Sequence, residues 1–321
     1  MMKPSILKKQ IIREFLKNKK LTVFQKKQLT FLITSIRLDY ETGLKFSENI
    51  KGNQADIEAF INDLDFESKN DVKTIFKNLK FINTHTLIET LKHFISKEDE
   101  VFEHLNSMES IKNQYKLPYD LYEDSVFKYN HGLKYVPQNV IKSLDNKDFL
   151  DCGAHIGDSA LMFTRNYYPN KIYSFEPILD NYNFLLENIK LNNLKKVIPI
   201  NKGLGEKSCT VRIHSLGPSS RVSEDGNAKI EIITIDEFVS EKNSSVGLIK
   251  IHVEGYELEV LKGAKRTIKE FKPVLLIGIC HNPEEFFGTK KYIQELVPDY
   301  KFKIKFLSDI RPLAQIHLIA W

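Results

Sequence analysis

The sequence predicts an α/β protein, a mainly parallel, doubly wound sheet preceded by a helical appendage. Two observations predict it. From about Asn139 onward, short β-branched runs alternate with helical periods through glycine turns. Before residue 115, apolar residues recur instead at helical spacing, with few β-rich runs. The chain has 321 residues, enough for two units, and the change of character sets the expected boundary: a helical domain over 1–115 and a ligand-binding domain over 116–321.

In the first part the helical spacing falls on Ile11, Ile12, Phe15 and Leu16, then Phe31, Leu32 and Ile36, then Ile57, Phe60 and Ile61. Turn signals, "KGNQAD" from Lys51 and "DFESKND" from Asp65, lie between these stretches, and their Asp and Ser residues suit helix caps. "LIETLKHFI" (Leu87 to Ile95) repeats the pattern, which gives four to six helices. This portion reads as a dimerisation element or an acceptor lid, with a homodimer as the oligomeric expectation. "NQYKLPYDLYEDSVFKYNHGLKYVP", from Asn113, is aromatic-rich and irregular, and reads as a bridge.

In the second part "DFLDCGA", "KIYSFEP", "KVIPINKGLG", "GLIKIHVEG" and "PVLLIGICH" read as strands. "TVRIHS" and "IEIITIDEFV" read as further β pieces, and "YELEVLKGAKRTIKEF" as one helix. The last two strands, "YKFKIKF" and "AQIHLIAW", follow each other without a helix, which predicts an antiparallel edge.

The composition narrows the function classes. Against 47 basic residues stand 42 acidic ones, a net charge of +5, so the surface is mixed and no nucleic-acid partner is expected. Cys152, Cys209 and Cys280 are scattered, without disulfide or metal spacing. No run reaches the length of a membrane span, and the basic start lacks the apolar core of a signal peptide. A cytoplasmic protein without stable membrane insertion is the expectation.

The chemistry centres on "FLDCGAHIGDSAL" (Phe149 to Leu161). In a doubly wound sheet, ligands bind beyond the carboxyl ends of the strands, where strand order reverses. Gly153 and Gly157 let backbone approach a ligand, and a helix N-terminus opens near Asp158 and Ser159, either of which also suits a cap. The spacing GxxxG is neither the GxGxxG of dinucleotide folds nor a P-loop. Asp151 and Asp158 flank the turn and would repel phosphate. They suit a cationic ligand with amino and hydroxyl groups, such as S-adenosyl-L-methionine. Glu176 ends the second strand 25 positions after Asp151, where α/β nucleotide binders keep a carboxylate for ribose hydroxyls, and Pro177 stops that strand.

These residues resemble the FkbM-type S-adenosylmethionine-dependent methyltransferases, a branch of the Rossmann-like seven-stranded methyltransferase fold. The resemblance runs from about Ser125 to the C-terminus, through "HGLKYVP", "FLDCGAHIGDSAL", "YSFEP", "NKGLG", "ITIDEF", "LIKIHVEGYELEVLKGA" and "KPVLLIGICHNPEEF". It implies that Asp151, Gly153, Ala154, His155 and Gly157 line the methionine side of the cofactor, with Asp158 and Ser159 beside it. It also implies that Glu176 and Pro177 meet the ribose and that Asn201 meets the adenine edge. The implied activity is O-methylation of a hydroxyl, with a small-molecule or carbohydrate acceptor. For a Lys-rich, bacterial-looking chain, the resemblance implies a sugar of a surface polysaccharide or glycolipid as the acceptor.

One position departs from the family. "IKIHVEG" has His252 where the family usually has aspartate, at the strand end facing the transferring methyl. With an ordinary pKa of about 6.5, histidine suits a base that takes the hydroxyl proton. Other readings are a neutral, satisfied polar residue, or weakened catalysis. His281 ends the fifth strand as a site-lining histidine. Glu254 points into the site, while Glu257 starts a helix; His131 and His214 read as structural. No metal is expected, since no ligand spacing appears. A catalytically silent cofactor-binding or scaffold protein is the alternative, and a nicotinamide-dependent oxidoreductase, disfavoured by the glycine spacing, is a third.

Overall fold

The structure, a computed structural model, describes residues 20–49, 54–214, 221–222 and 228–321. The helical spacing at Ile11, Ile12, Phe15 and Leu16 and the first part of the "KGNQAD" turn lie outside them. Among the described residues eleven strands form two sheets. They are β1 (Asp148–Cys152), β2 (Ile172–Phe175), β3 (Val197–Ile200), β4 (Gly203–Leu204), β5 (Cys209–His214), β6 (Arg221–Val222), β7 (Ala228–Ile233), β8 (Val246–Ile251), β9 (Val274–Gly278), β10 (Phe302–Phe306) and β11 (Ile316–Ala320).

The larger sheet has seven strands in the order β10-β11-β9-β8-β1-β2-β3, and the smaller one has four, β4-β7-β5-β6. In the larger sheet only β11 runs against its neighbours. The antiparallel strand therefore sits one place inside the edge, and β10, parallel to the rest, forms the edge. Strand order reverses at β1, which pairs with β2 on one side and β8 on the other. That switch point fixes where a ligand can reach several strand ends at once. β1, β8, β9 and β11 are buried along their whole length, as expected of strands covered on both faces.

Three local expectations are corrected. "KVIPINKGLG" is two strands, β3 at the edge of the larger sheet and β4 in the smaller one. "IEIITIDEFV" is strand only to Ile233; Thr234 and Glu237 then form a reciprocal capping box that starts the helix Ile235–Lys242. "YELEVLKGAKRTIKEF" is two helices, Glu257–Lys262 and Lys265–Phe271. The break is set by close backbone packing: a Cβ on Gly263 would lie 2.0 Å from the Gly205 carbonyl oxygen.

Among the described residues five helices precede residue 115: Val23–Asn49, Gln54–Ile61, Phe66–Thr84, Leu87–Ile95 and Glu98–Gln114. Asp65 caps the third by accepting from Ser68 N at 2.8 Å, so only the start of "DFESKND" is turn. This helix lies along β10 and satisfies the edge strand's outward amides. Ile304 N donates to Ser68 Oγ (3.1 Å) and Phe306 N to Asp71 Oδ2 (3.4 Å), while Lys303 and Lys305 pair with Asp65 (2.8 Å) and Asp71 (2.7 Å). A covered edge cannot recruit another chain's strand. Phe46, Leu64, Val72, Ile75 and Leu79 share one hydrophobic cluster with Ile304, Leu313 and Phe286. The aromatic bridge contains a short helix, Asp124–Phe127, and a 3-10 segment, Asn130–Tyr135, broken by left-handed His131 and Gly132.

Candidate active site at the β1–β8 switch point

The turn after β1 is built from backbone. Gly153, His155 and Gly157 all take left-handed φ values, +80°, +47° and +80°. A Cβ on Gly153 would stand 2.0 Å from the His252 carbonyl oxygen, so glycine is required where the ends of β1 and β8 meet. The same crossing is held by His252 N donating to Cys152 O at 3.1 Å. Gly153 N and Ala154 N both donate to Phe175 O (3.0 and 2.9 Å), which ties the turn to β2. Gly157 is the N-cap of the helix Asp158–Asn166, whose first residues are Asp158 and Ser159.

Glu176 is buried at the end of β2 and organises this half. Its Oε2 accepts from His155 N (2.8 Å); its Oε1 accepts from Ile178 N (2.9 Å) and the Asn181 side chain (3.3 Å). A carboxylate offers about four acceptor sites, so the three protein donors leave one open. Burial raises its pKa to about 7 despite those donors. The Asn201 side chain donates to the carbonyls of Glu176 (2.8 Å) and Pro177 (3.2 Å). Asn201 and Pro177 thus brace the acid's backbone.

Asp151 lies beneath the turn, fully buried. Its Oδ1 is 3.1 Å from Lys250 Nζ, which also donates to Gly153 O at 2.8 Å; Ser174 Oγ lies 3.5 Å from its Oδ2. Burial raises the Asp151 pKa, while Lys250 opposes the shift. The acid identified in the sequence therefore works as half of an internal ion pair that holds the glycine turn against β8. The sequence motifs assign Lys250 no role, although a lysine inside the apolar run "GLIKI" is a signal, since buried lysines need a partner.

The other half of the site is made of side chains. The His252 ring sits over Gly278 of β9, where a Cβ would be 3.2 Å from the ring's Cγ and Cδ2. Its neighbours are His281 and His317, with ring centroids 5.1 and 5.6 Å away. Burial, then the nearby His281, His317 and Lys250, hold its pKa well below the ordinary value. His252 is therefore neutral at physiological pH, able to accept a proton. His281 is in the opposite state. Burial works against its charge, but Glu257 and Glu254 outweigh burial and hold its pKa well above the usual histidine range. His281 Nδ1 is 3.1 Å from Glu257 Oε1 and 3.7 Å from Glu285 Oε2, and its Nε2 is 3.8 Å from Glu254 Oε2.

Glu257 does begin a helix, and it also closes the turn before it. Its carboxylate accepts from Val253 N (2.8 Å) and Gly255 N (3.0 Å), so it shapes the turn bearing Glu254, whose φ is +59°. His317, fully buried on β11, and His131, whose Nε2 is 2.8 Å from Ser159 Oγ, extend the histidine group toward the glycine turn; their ring centroids are 5.5 Å apart. No spacing rule links positions 131, 252, 281 and 317; only sheet order brings them together. Among the described residues, coordinating atoms of His252, Cys280 and His281 lie within 4.8 Å of one another, as do those of Glu257, His281 and Glu285. No described helix is long and apolar enough to cross a membrane.

Comparison with known proteins points to methyltransferases. Residues 151–309 match the model of the methyltransferase FkbM domain. The chain is 30% identical over 149 residues to the hexuronic acid methyltransferase AglP of Haloferax volcanii, an alignment covering 43% of this chain and 61% of that protein. It is 22% identical over 177 residues to methyltransferase 1 of Beauveria bassiana, covering 47% of this chain and 71% of that one. The crystal structure of methyltransferase FkbM from Methylobacillus flagellatus KT superimposes with a TM-score of 0.59 at 20% identity, over 86% of this chain and 61% of that chain. The chain thus spans about three fifths of the length of the AglP relative and of the Methylobacillus protein.

Proposed function

We propose, from the premise that residues 151–309 form an FkbM methyltransferase domain, that the chain is an S-adenosylmethionine-dependent O-methyltransferase acting on a sugar hydroxyl. The observation that carries the reading is a junction: a glycine turn with a buried carboxylate meets a neutral, partly buried histidine across the Gly153–His252 contact. The cofactor fits the first half. Glu176 keeps an acceptor site for a ribose hydroxyl, and the turn from Gly153 to Gly157 presents backbone beside a helix N-terminus. Asp158 and Ser159 flank that terminus, and Asn201 and Pro177 shape the wall next to Glu176. When bound, S-adenosylmethionine supplies an electrophilic methyl group on a sulfonium sulfur.

The chain's residues then supply alignment and a proton acceptor. His252 takes the proton that the acceptor hydroxyl loses, a contribution of about 10²–10⁴-fold for a well-placed base. His281, kept protonated by Glu257, stabilises the developing negative charge on the acceptor oxygen, and Glu254 borders the acceptor's entry. The hexuronic acid methyltransferase AglP is a sugar-acid enzyme by name, which supports a carbohydrate acceptor; a bacterial surface polysaccharide or glycolipid is the assignment we favour. The N-terminal helices, packed on β10 and the loop that follows it, would serve as the acceptor side of the site.

Calorimetric titration with S-adenosylhomocysteine and with NAD tests the cofactor assignment. We expect binding and thermal stabilisation by S-adenosylhomocysteine alone; stabilisation by NAD alone sinks the reading. Methyl transfer is then followed with labelled S-adenosylmethionine across a panel of glycosides, and cofactor binding without transfer to any of them favours a silent protein.

A further inference from the structure

The loop between β10 and β11, residues 307–315, lies at the carboxyl edge of the sheet beside β9. Ile279 N donates to Ile316 O at 2.9 Å, and Leu307 N to Gln315 O at 2.9 Å. Gln315 takes a left-handed φ of +69°, so this loop, like the β1 and β8 turns, is held in a conformation its neighbours must enforce.

What enforces it comes from the N-terminal third. Asp39, buried on the helix Val23–Asn49, accepts from Arg311 Nη2 (2.7 Å) and Nε (3.3 Å) and from the amides of Leu313 (3.4 Å) and Ala314 (3.3 Å). Four donors from one loop converge on a single carboxylate. Arg311 Nη1 remains 3.9 Å from Glu123 Oε1, beyond hydrogen-bond range, while Gln315 Nε2 donates to Glu123 Oε2 at 2.5 Å. Burial raises the Glu123 pKa to about 7; Arg311 opposes this, and the charges of Asp158 and Glu254 add to it. Through Gln315, whose neighbour Ile316 accepts from Ile279 N, Glu123 is tied to the strand end that leads into His281.

We propose that Glu123, Arg311 and Gln315 form the acceptor-recognition subsite, that it takes a neutral sugar diol in preference to a sugar carboxylate, and that Asp39 positions it. The proposal rests on the sugar-hydroxyl reading above and makes it more specific. A hydroxyl oxygen suits the gap between Arg311 Nη1 and Glu123 Oε1, accepting from one and donating to the other at about 2.8 Å each. Above pH 7, where Glu123 is ionised, a carboxylate has no proton to give it and would add a like charge beside it and Asp158. Gln315 adds a donor and an acceptor in one amide, and the Asp39 grip keeps the Arg311 fork in one plane.

The test measures equilibrium binding of matched pairs of methyl hexosides and methyl hexuronides (gluco, galacto and manno) to the full chain, with and without S-adenosylhomocysteine. Neutral members should bind about tenfold tighter than their hexuronides. Glu123→Gln should shrink that preference to about threefold or less. Gln315→Ala and Asp39→Asn should weaken neutral-sugar binding while S-adenosylhomocysteine affinity stays unchanged. Thermal melts identify any variant that fails to fold, and Gln315→Ala, which leaves the Asp39–Arg311 pair intact, keeps the test decisive if Asp39→Asn unfolds. Equal or tighter hexuronide binding, binding of neither member of any pair, or sugar affinities unmoved by folded variants overturns the proposal. Sugar binding with the expected preference but no methyl transfer would leave the subsite standing and sink the methyltransferase reading.

Discussion

The two halves of the candidate site are built by different means. At the ends of β1 and β2 the work is done by backbone: left-handed glycines, amides donating to Phe175 O, and one buried acid whose donors come from adjacent turns. At the ends of β8, β9 and β11 it is done by side chains from distant segments. His252 rests on Gly278, His281 on Glu257, and the Arg311 loop on Asp39, 272 positions away in sequence. Backbone construction fixes one geometry for a cofactor whose shape does not change. Side-chain construction lets an acceptor site be altered without disturbing that turn.

The comparison breaks first at His252, where the largest effect is expected. His252→Ala should lower kcat by about 10²–10⁴-fold while S-adenosylhomocysteine affinity stays within about twofold. A negligible change in turnover would show that the acceptor half lacks its base. Next comes the ion pair on which the two halves meet. Lys250→Met leaves Asp151 buried without its cation and should cost about 3–5 kcal/mol in a denaturant titration. A loss below about 1 kcal/mol would mean that Asp151 is not held by that pair.

Glu176→Ala should weaken S-adenosylhomocysteine binding by about 1–3 kcal/mol, with no loss of acceptor binding. Unchanged cofactor affinity would remove Glu176 from the cofactor half. The smallest effect is one of pH. Ribose recognition uses the ionised acid, and the Glu176 pKa is raised to about 7. Cofactor affinity should therefore fall about tenfold between pH 8 and pH 6, and Glu176→Gln should flatten that dependence. The sign for stability is the reverse. A carboxyl with a raised folded-state pKa contributes most below its ordinary value and loses that contribution as pH rises through about 7, so cofactor-free chain should gain from this group on acidification. His252, held well below 6.5, stays neutral throughout this window, so turnover at saturating cofactor and acceptor should be nearly flat across it.

Much of the fold was legible because its signals are local. β-branched runs, glycine turns and the helical period up to residue 115 placed nearly every strand and helix of the described chain. The exceptions are instructive. "ITIDEF" reads as strand by composition, yet the Thr234–Glu237 capping box turns it into helix. The break at Gly263 depends on Gly205, 58 positions earlier, and no local rule contains that contact.

For the site, the sequence by itself determined which residues stand at the strand ends or in the turns after them: Asp151, Gly153, Gly157, Glu176, His252 and His281 do so because strand period and turn chemistry are short-range properties. Only the tertiary structure decided their partners and their charge. It buried Asp151 against Lys250, set His252 neutral beside a protonated His281, and brought Asp39 to Arg311. Those outcomes follow from desolvation and from distances of a few ångströms between groups far apart in the chain, and neither quantity exists until the sheet has ordered its strands.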